Sequence, residues 1–198
     1  MAQKFASLLA VLHDGELLAA ETAQRQAELA PQAWMKCELA LQARQERGHV
    51  RLVRMAQALN GSERTLTTSP LLPLRTRLAL DLNAGNLGSS IAGLHGVLEH
   101  LGEALLEQLA QYAHPADRLL HRLRRHVLAQ EQSHIRLGAR CLQRLPSVSQ
   151  HVIAEYYNIG HTLARDVAVR LADARLDGDA FWRDVSTRLD AWHRSCAP

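Results

Sequence analysis

The sequence predicts an all-α protein: two helical hairpins joined by a long crossover into a four-helix bundle, with two further helices after it. Three observations predict this. The good helix formers Ala, Leu, Gln, Glu and Arg dominate the chain. Strand signals are nearly absent: aromatics are only 4% of residues, β-branched runs are few, and no Asn-Gly turn is flanked by alternating residues. Pro and Gly gather at a small number of breaks between long helical patterns.

The first helix spans about residues 5–29, with Phe5, Leu9, Leu12, Ala19 and Ala23 on one face. Pro31 opens the second, as Pro does in a first turn, and Asn60-Gly61 stops it after Leu59. So short a loop makes these two helices antiparallel neighbours. Residues 62–88 form an irregular crossover punctuated by Pro70, Pro73, Asn83, Gly85 and Gly88, with room for a short helix over residues 74–82. The third helix covers about residues 89–113, and His114-Pro115 turns the chain into the fourth, which runs from about 116 to 145 and is ended by Pro146. A fifth helix over residues 148–174 and a sixth over 180–193 follow, separated by Asp177-Gly178. The whole of 1–198 reads as a single domain, with a bundle over 5–145 and a helical appendage over 148–194.

Composition excludes several classes. No apolar stretch approaches the roughly 18 residues that span a bilayer, and the first residues lack a signal-peptide layout, so a cytoplasmic protein is expected. Cys37, Cys141 and Cys196 are far apart and form no CxxC pair, which predicts reduced thiols, with Cys141 packed in the core. The net charge of +3 is a weak pointer to nucleic acid. The basic side is nearly all arginine, and its densest run (Arg118, His121, Arg122, Arg124, Arg125, His126) reads as a solvated helix face.

The chemistry lies in a repeated motif. The second helix carries Glu46-Arg47-Gly48-His49 and the fourth Glu131-Gln132-Ser133-His134. Residues three apart share a helix face, so each Glu-x-x-His can offer a carboxylate oxygen and an imidazole nitrogen to one metal ion. The inward stripe of the second helix is Met35, Leu39, Gln42, Glu46, His49, Val53 and Ala56; that of the fourth is Leu120, Val127, Glu131, His134, Gly138 and Cys141. Glu and His thus stand where the pattern calls for apolar side chains. Burying an unpaired carboxylate costs several kcal/mol or drives it to protonate, so a bound cation is the expected compensation. Buried Glu–His pairs linked to each other or to Arg are the metal-free alternative.

The other two bundle helices are expected to add one carboxylate each. Glu16 continues the Phe5–Leu9–Leu12 face, whereas Glu21 is rotated from it by about 140°. Glu16 and Glu46 lie on either side of Pro31 at equal distances along the chain, so the two stand at similar heights in the hairpin. Glu99 and Glu131 are centred on Pro115 in the same way, and Glu99 flanks the stripe of Ile91, His95, Leu98, Gly102 and Leu105. Glu103, one turn nearer to Pro115, is the alternative and faces further out. The predicted set is Glu16, Glu46, His49, Glu99 (or Glu103), Glu131 and His134. Four carboxylates and two imidazoles match the ligands of di-iron and di-manganese bundles; oxygen and imidazole donors suit two iron ions, with manganese an alternative in either site. His95 reads as a packed core histidine, with a role beside the ligands as the alternative. Glu155, Tyr156, Tyr157 and His161 of the fifth helix read as packing residues.

On these motifs, over residues 5–145, the sequence resembles the ferritin-like di-iron carboxylate superfamily. The resemblance implies that Glu46 and Glu131 bridge the metals, that Glu16 and Glu99 are terminal, and that His49 and His134 each cap one iron. The segment Gly15-Glu16-Leu17-Leu18-Ala19-Ala20-Glu21-Thr22-Ala23 is similar to the first metal helix of the tRNA isopentenyladenosine hydroxylases. The function expected is an O2-dependent di-iron oxidase or hydroxylase acting on an organic substrate, with an electron donor as partner. Small residues near the ligands (Ala19, Ala20, Gly48, Gly102, Gly138) could leave a substrate pocket or serve close helix contacts. The alternatives are a ferritin-type iron oxidation and storage protein, a tRNA-modifying hydroxylase, and a metal-free helical interaction protein. A monomer or small homo-oligomer is expected.

Overall fold

The computed structural model describes residues 6–59, 69–111 and 118–196, with only the backbone course given for 118–123. Phe5, Asn60-Gly61 and His114-Pro115, and the side chains of Arg118, Leu120, His121 and Arg122, lie outside the described residues.

The described chain is helical, without strands, in the predicted order. Helix α1 (Ala6–Leu29) packs along α2 (Ala33–Leu59). The crossover contains α3 (Leu72–Asn83), with Pro73 in its first turn. The third bundle helix is α4 (Leu87–Gly93), a π-helical turn (Leu94–Leu98) and α5 (Glu99–Gln111), run together. Helix α6 (Arg118–Leu142) completes the bundle and packs on α5 and α2. The appendage is α7 (Gln150–Asp173) and α8 (Gly178–Ser195), paired with each other. Each opens on a side-chain cap: Ser149 accepts from the Val152 N–H, and Asp177 from the Ala180 N–H. Gly178 is required there, because a Cβ would meet the Ala168 carbonyl oxygen at 2.3 Å.

The appendage closes against the bundle through small residues. A Cβ on Gly93 would lie 2.2 Å from the Tyr156 ring, and one on Gly96 2.1 Å from Trp192. Tyr156 is fully buried and its hydroxyl donates to Asp81 of α3 at 2.6 Å, while Arg77 holds the same carboxylate. Tyr157 donates to Asp190, and Glu155 pairs with Arg77. These α7 side chains pack, as expected, and none reaches the bundle's polar centre.

The third bundle helix departs from the expected continuous α-helix. In the π turn the Glu99 N–H bonds to the Leu94 carbonyl, five residues back. One extra residue per turn rotates everything after it by about 100°. Glu99 is thereby carried onto the Ile91 face and is 2% exposed. The same rotation corrects the reading of Glu103, which does not face outward. It is buried at the α5–α8 contact, where Arg188 pairs with it and Gln132 donates to it at 3.2 Å.

All three cysteines are free, and Cys141 is in the core. No helix among the described residues is long and apolar enough to cross a membrane.

Candidate metal centre

Every residue expected to face inward on α2 does so: Met35, Leu39, Gln42, Glu46, His49, Val53 and Ala56 are buried. Val127, Glu131, His134, Gly138 and Cys141 do the same on α6. The fold brings Glu16, Glu46, His49, Glu99, Glu131 and His134 together at mid-height; Glu103 lies outside this cluster.

The six fall into two overlapping groups. Glu16, Glu46, His49 and Glu131 can each turn one donor atom within 4.8 Å of the others, and so can Glu46, Glu99, Glu131 and His134. Glu46 and Glu131 belong to both. His49 Nδ1 stands 2.9 Å from Glu46, 3.1 Å from Glu16 and 3.4 Å from Glu131. His134 Nδ1 stands 2.8 Å from Glu46 and 3.5 Å from Glu99.

The other ring nitrogens point away from the cluster. His49 Nε2 donates to Gln130 Oε1 at 2.6 Å, and His134 Nε2 donates to Gln45 Oε1 at 2.9 Å. Each histidine is therefore oriented by the opposite motif helix, leaving its Nδ1 aimed inward. Such outer partners fix the tautomer and ring position of a metal-binding histidine. Gln45 and Gln130 were not singled out in the sequence, although the signal is there: each stands immediately before its motif glutamate, so the repeat is Gln-Glu-x-x-His. Replacing either with Leu is expected to lower divalent-metal affinity by about 10- to 100-fold with helix content intact. Metal titration followed by circular dichroism checks this; an unchanged affinity in both variants would remove the orienting role.

A third glutamine links the carboxylates to the π turn. Gln42 donates to Glu99 at 2.7 Å and to Glu46 at 3.3 Å, and its carbonyl accepts from His95 Nε2 at 2.9 Å. His95 is thus packed and also tied to the cluster. Burial, followed by the charge on His134, pulls its pKa down to about 4. Gly138 admits this ring: a Cβ there would lie 2.3 Å from His95. That glycine serves a close helix contact, and it also lines a separate pocket beside His95, Ile135 and Trp192.

The electrostatics show what the cluster demands. Burial pushes Glu16 up to about 8, and burial with the charges of Glu131 and Glu46 raises Glu99 well above the carboxylate range. Burial opposes the ionisation of Glu46 and Glu131 too, but hydrogen bonds from the two imidazoles, and for Glu131 first from Glu99, keep both below the usual range. Burial alone would lower the histidines. Contacts with the surrounding carboxylates instead raise His134 to about 12 and His49 further. With Glu16 and Glu99 pushed toward the neutral form, Glu46 and Glu131 toward the carboxylate and both histidines toward the imidazolium, the buried group tends toward zero net charge, the least costly charge at such burial.

This arrangement fits a pair of divalent cations. Fully deprotonated, the set carries four negative charges, which two such ions neutralise. Glu46 Oε2, Glu131 Oε1 and His134 Nδ1 are buried without a well-directed hydrogen bond, so these donor atoms would be available to a metal once its binding displaces the imidazole protons.

Beside the cluster lies a narrow, mostly apolar cavity of about 40 Å³. Glu16, Glu99 and Glu131 form its polar end, and Gly15, Ala19, Gly102 and Leu105 line its bundle side. Leu163 and Val167 of α7 close it, so the appendage contributes a wall that the bundle lacks.

No family model matches the sequence, and no curated protein matches it. Among solved structures, a protein from Synechococcus described as having aldehyde deformylating oxidase activity superposes with a TM-score of 0.83. The match covers 99% of this chain and 90% of that one, at 17% sequence identity. The fold is ferritin-like. At this identity the likeness carries the architecture, and the chemistry must be argued from the residues. The ferritin-like bundle here spans α1, α2, α4–α5 and α6, and the match extends over α7 and α8 as well.

Proposed function

We propose that this protein is a non-haem di-iron oxidase that uses O2 to oxidise a slender, apolar organic substrate. The observation that carries the reading is the pair of four-residue groups sharing Glu46 and Glu131, set against an apolar cavity that ends on three of the carboxylates. Glu16, Glu46, Glu131 and His49 would hold one ion, and Glu46, Glu99, Glu131 and His134 the other. Iron suits this donor set best, with manganese as the competing metal. Two bound irons would supply the binding and reduction of O2, with electrons from an external donor.

The protein's own contribution is geometry and exclusion of water. Gln45 and Gln130 hold the imidazoles in one tautomer. Gln42 and His95 hold Glu99 and Glu46 from the π turn. Leu98, Leu101, Leu105, Leu163 and Val167 give the cavity apolar walls, which would favour an apolar chain over a polar molecule. The likeness to a protein with aldehyde deformylating oxidase activity makes an aliphatic aldehyde the first substrate to test.

The test is anaerobic ferrous loading, then O2 with a medium-chain aldehyde and a chemical reductant, with products read by mass spectrometry. Wild type is expected to bind two irons per chain and turn the substrate over. Gly102→Leu puts a side chain where a Cβ now has open space beside the cavity. It is expected to keep both irons but lower kcat/KM by about tenfold or more, as blocking a substrate site does. Iron accumulating far beyond two per chain in a large particle would replace this reading with ferritin-type storage.

A further inference from the structure

The outward face of the α2–α6 pair has a composition unlike the rest of the molecule. On α2, Arg44, Arg47, Arg51 and Arg54 fall within an arc of about 80° at 100° per residue, and all four are exposed. Arg125 and Arg136 of α6 are exposed as well. None of these six arginines forms an ion pair with a described residue; Arg75, Arg77 and Arg188 do elsewhere, while Arg170, Arg183 and Arg194 of the appendage are unpaired too. The acids of the two helices are Glu38, Glu46 and Glu131, the last two buried in the cluster. Helices α7 and α8, by contrast, carry Glu155, Asp166, Asp173, Asp179, Asp184 and Asp190 among their arginines, so in a chain of net charge +3 the α2–α6 face is basic because it lacks exposed acids.

That side lies over His49. Between α2 and α6 an open pocket is rimmed by Arg44, Arg51 and His126, with His49 and its partner Gln130 among its lining residues. The apolar cavity is elsewhere, among α1, α5 and α7, and takes only Glu131 from these two helices. One approach to the cluster is therefore apolar and narrow, and the other is broad, basic and leads to an imidazole edge.

We propose that the α2–α6 face is the docking surface for an acidic one-electron carrier protein that reduces the centre through the His49 side. This rests on the di-iron reading above. Each encounter oxidises the carrier by one electron and reduces the centre by one, with no atom transferred. The texture of the face fits a protein partner. Met55 is 52% exposed and Leu41 43% exposed on the same side of α2 as the arginines, and Met and Arg are enriched at protein interfaces. Unpaired charges of one sign steer an oppositely charged partner and speed its association. RNA fits less well. Trp34 is the one Trp, Tyr or Phe on the two helices and is half-buried under Arg140 at 4.9 Å, so stacking of bases there would fall to His126 and the arginines alone.

The experiment uses the full chain and an acidic plant-type [2Fe–2S] ferredoxin as the probe. Binding to metal-free protein is measured by calorimetry. Reduction of the oxidised iron-loaded protein is followed by stopped flow, with dithionite, which needs no docking, as the reference reductant. For Arg47→Glu/Arg51→Glu/Arg54→Glu, the ratio of ferredoxin to dithionite rates is expected to fall at least tenfold. The salt dependence seen in wild type should vanish, and calorimetric affinity should weaken in parallel. The Arg→Gln version of the same triple, which is milder on folding, should show a smaller change of the same sign. Reversing Arg170 and Arg183 on α7 and α8 should leave the ratio unchanged. Equal ratios and affinities in wild type and both triples would overturn the docking face while leaving the metal reading intact. So would wild type retaining bulk transfer RNA at physiological salt, with that binding, and not ferredoxin reduction, lost in the triples. Wild-type protein that takes up no iron would instead overturn the di-iron reading, and the docking proposal with it.

Discussion

Glu131→Ala is expected to empty both metal positions, taking iron after anaerobic reconstitution from about two per chain, as a two-metal centre holds, to well under one. Glu131 belongs to both four-residue groups and approaches both imidazoles, so its loss removes a donor from each ion at once. Glu46→Ala is expected to do the same for the same reason. His49→Ala and Glu99→Ala each touch one group and should leave roughly one ion bound. Glu103→Ala is the contrasting variant: its carboxylate pairs with Arg188 on α8, so it should weaken the appendage contact and leave iron content unchanged. Elemental analysis on protein with a retained helical signal reads all five. Two irons remaining in Glu131→Ala, or a loss in Glu103→Ala as large as in Glu99→Ala, would show that the ligand set is misassigned.

The second large effect is on protons. At pH 7 the metal-free cluster holds about four protons that two divalent ions must displace, one each from His49, His134, Glu16 and Glu99, because metal ligands bind deprotonated. All four have folded pKa values raised above their ordinary ones. A group raised in this way keeps its proton until the pH passes its folded value, so metal binding strengthens as pH rises. Below about 8, the value for Glu16, the overall constant for two ions should change by about four decades per pH unit. Above it the slope should ease, since that proton has already left. Proton release on ferrous or manganous titration in weak buffer measures this directly. Release of fewer than two protons would mean that the imidazoles are neutral beforehand and that the buried charge is balanced in another way.

How much of this was legible beforehand varies with the range of the interaction. The doubled Glu-x-x-His, the polar residues on inward stripes and the equal heights of Glu16 with Glu46 and of Glu99 with Glu131 follow from the fixed rise and rotation of a helix. That geometry is local, so the sequence carries it, and the fold brings those six side chains together. Gln45 and Gln130 were visible as letters but not as partners, since each acts across the bundle on the other helix's histidine.

Other features belonged to the tertiary structure alone. The π turn at Leu94–Leu98 adds one residue to a helical turn, a choice between hydrogen-bond patterns that packing settles. It turned Glu99 fully inward and buried Glu103, which strict α periodicity had facing out. Arg188, Leu163 and Val167 lie far along the chain from the bundle residues they meet on α5 or α1, so no local pattern foretold the Glu103 ion pair or the far wall of the cavity. The sequence by itself therefore determined the donor atoms and their spacing along each helix. The tertiary structure decided which way those donors are held, which carboxylate is diverted to an arginine, and which side of the centre is left apolar, because those depend on contacts that only the folded chain brings within reach.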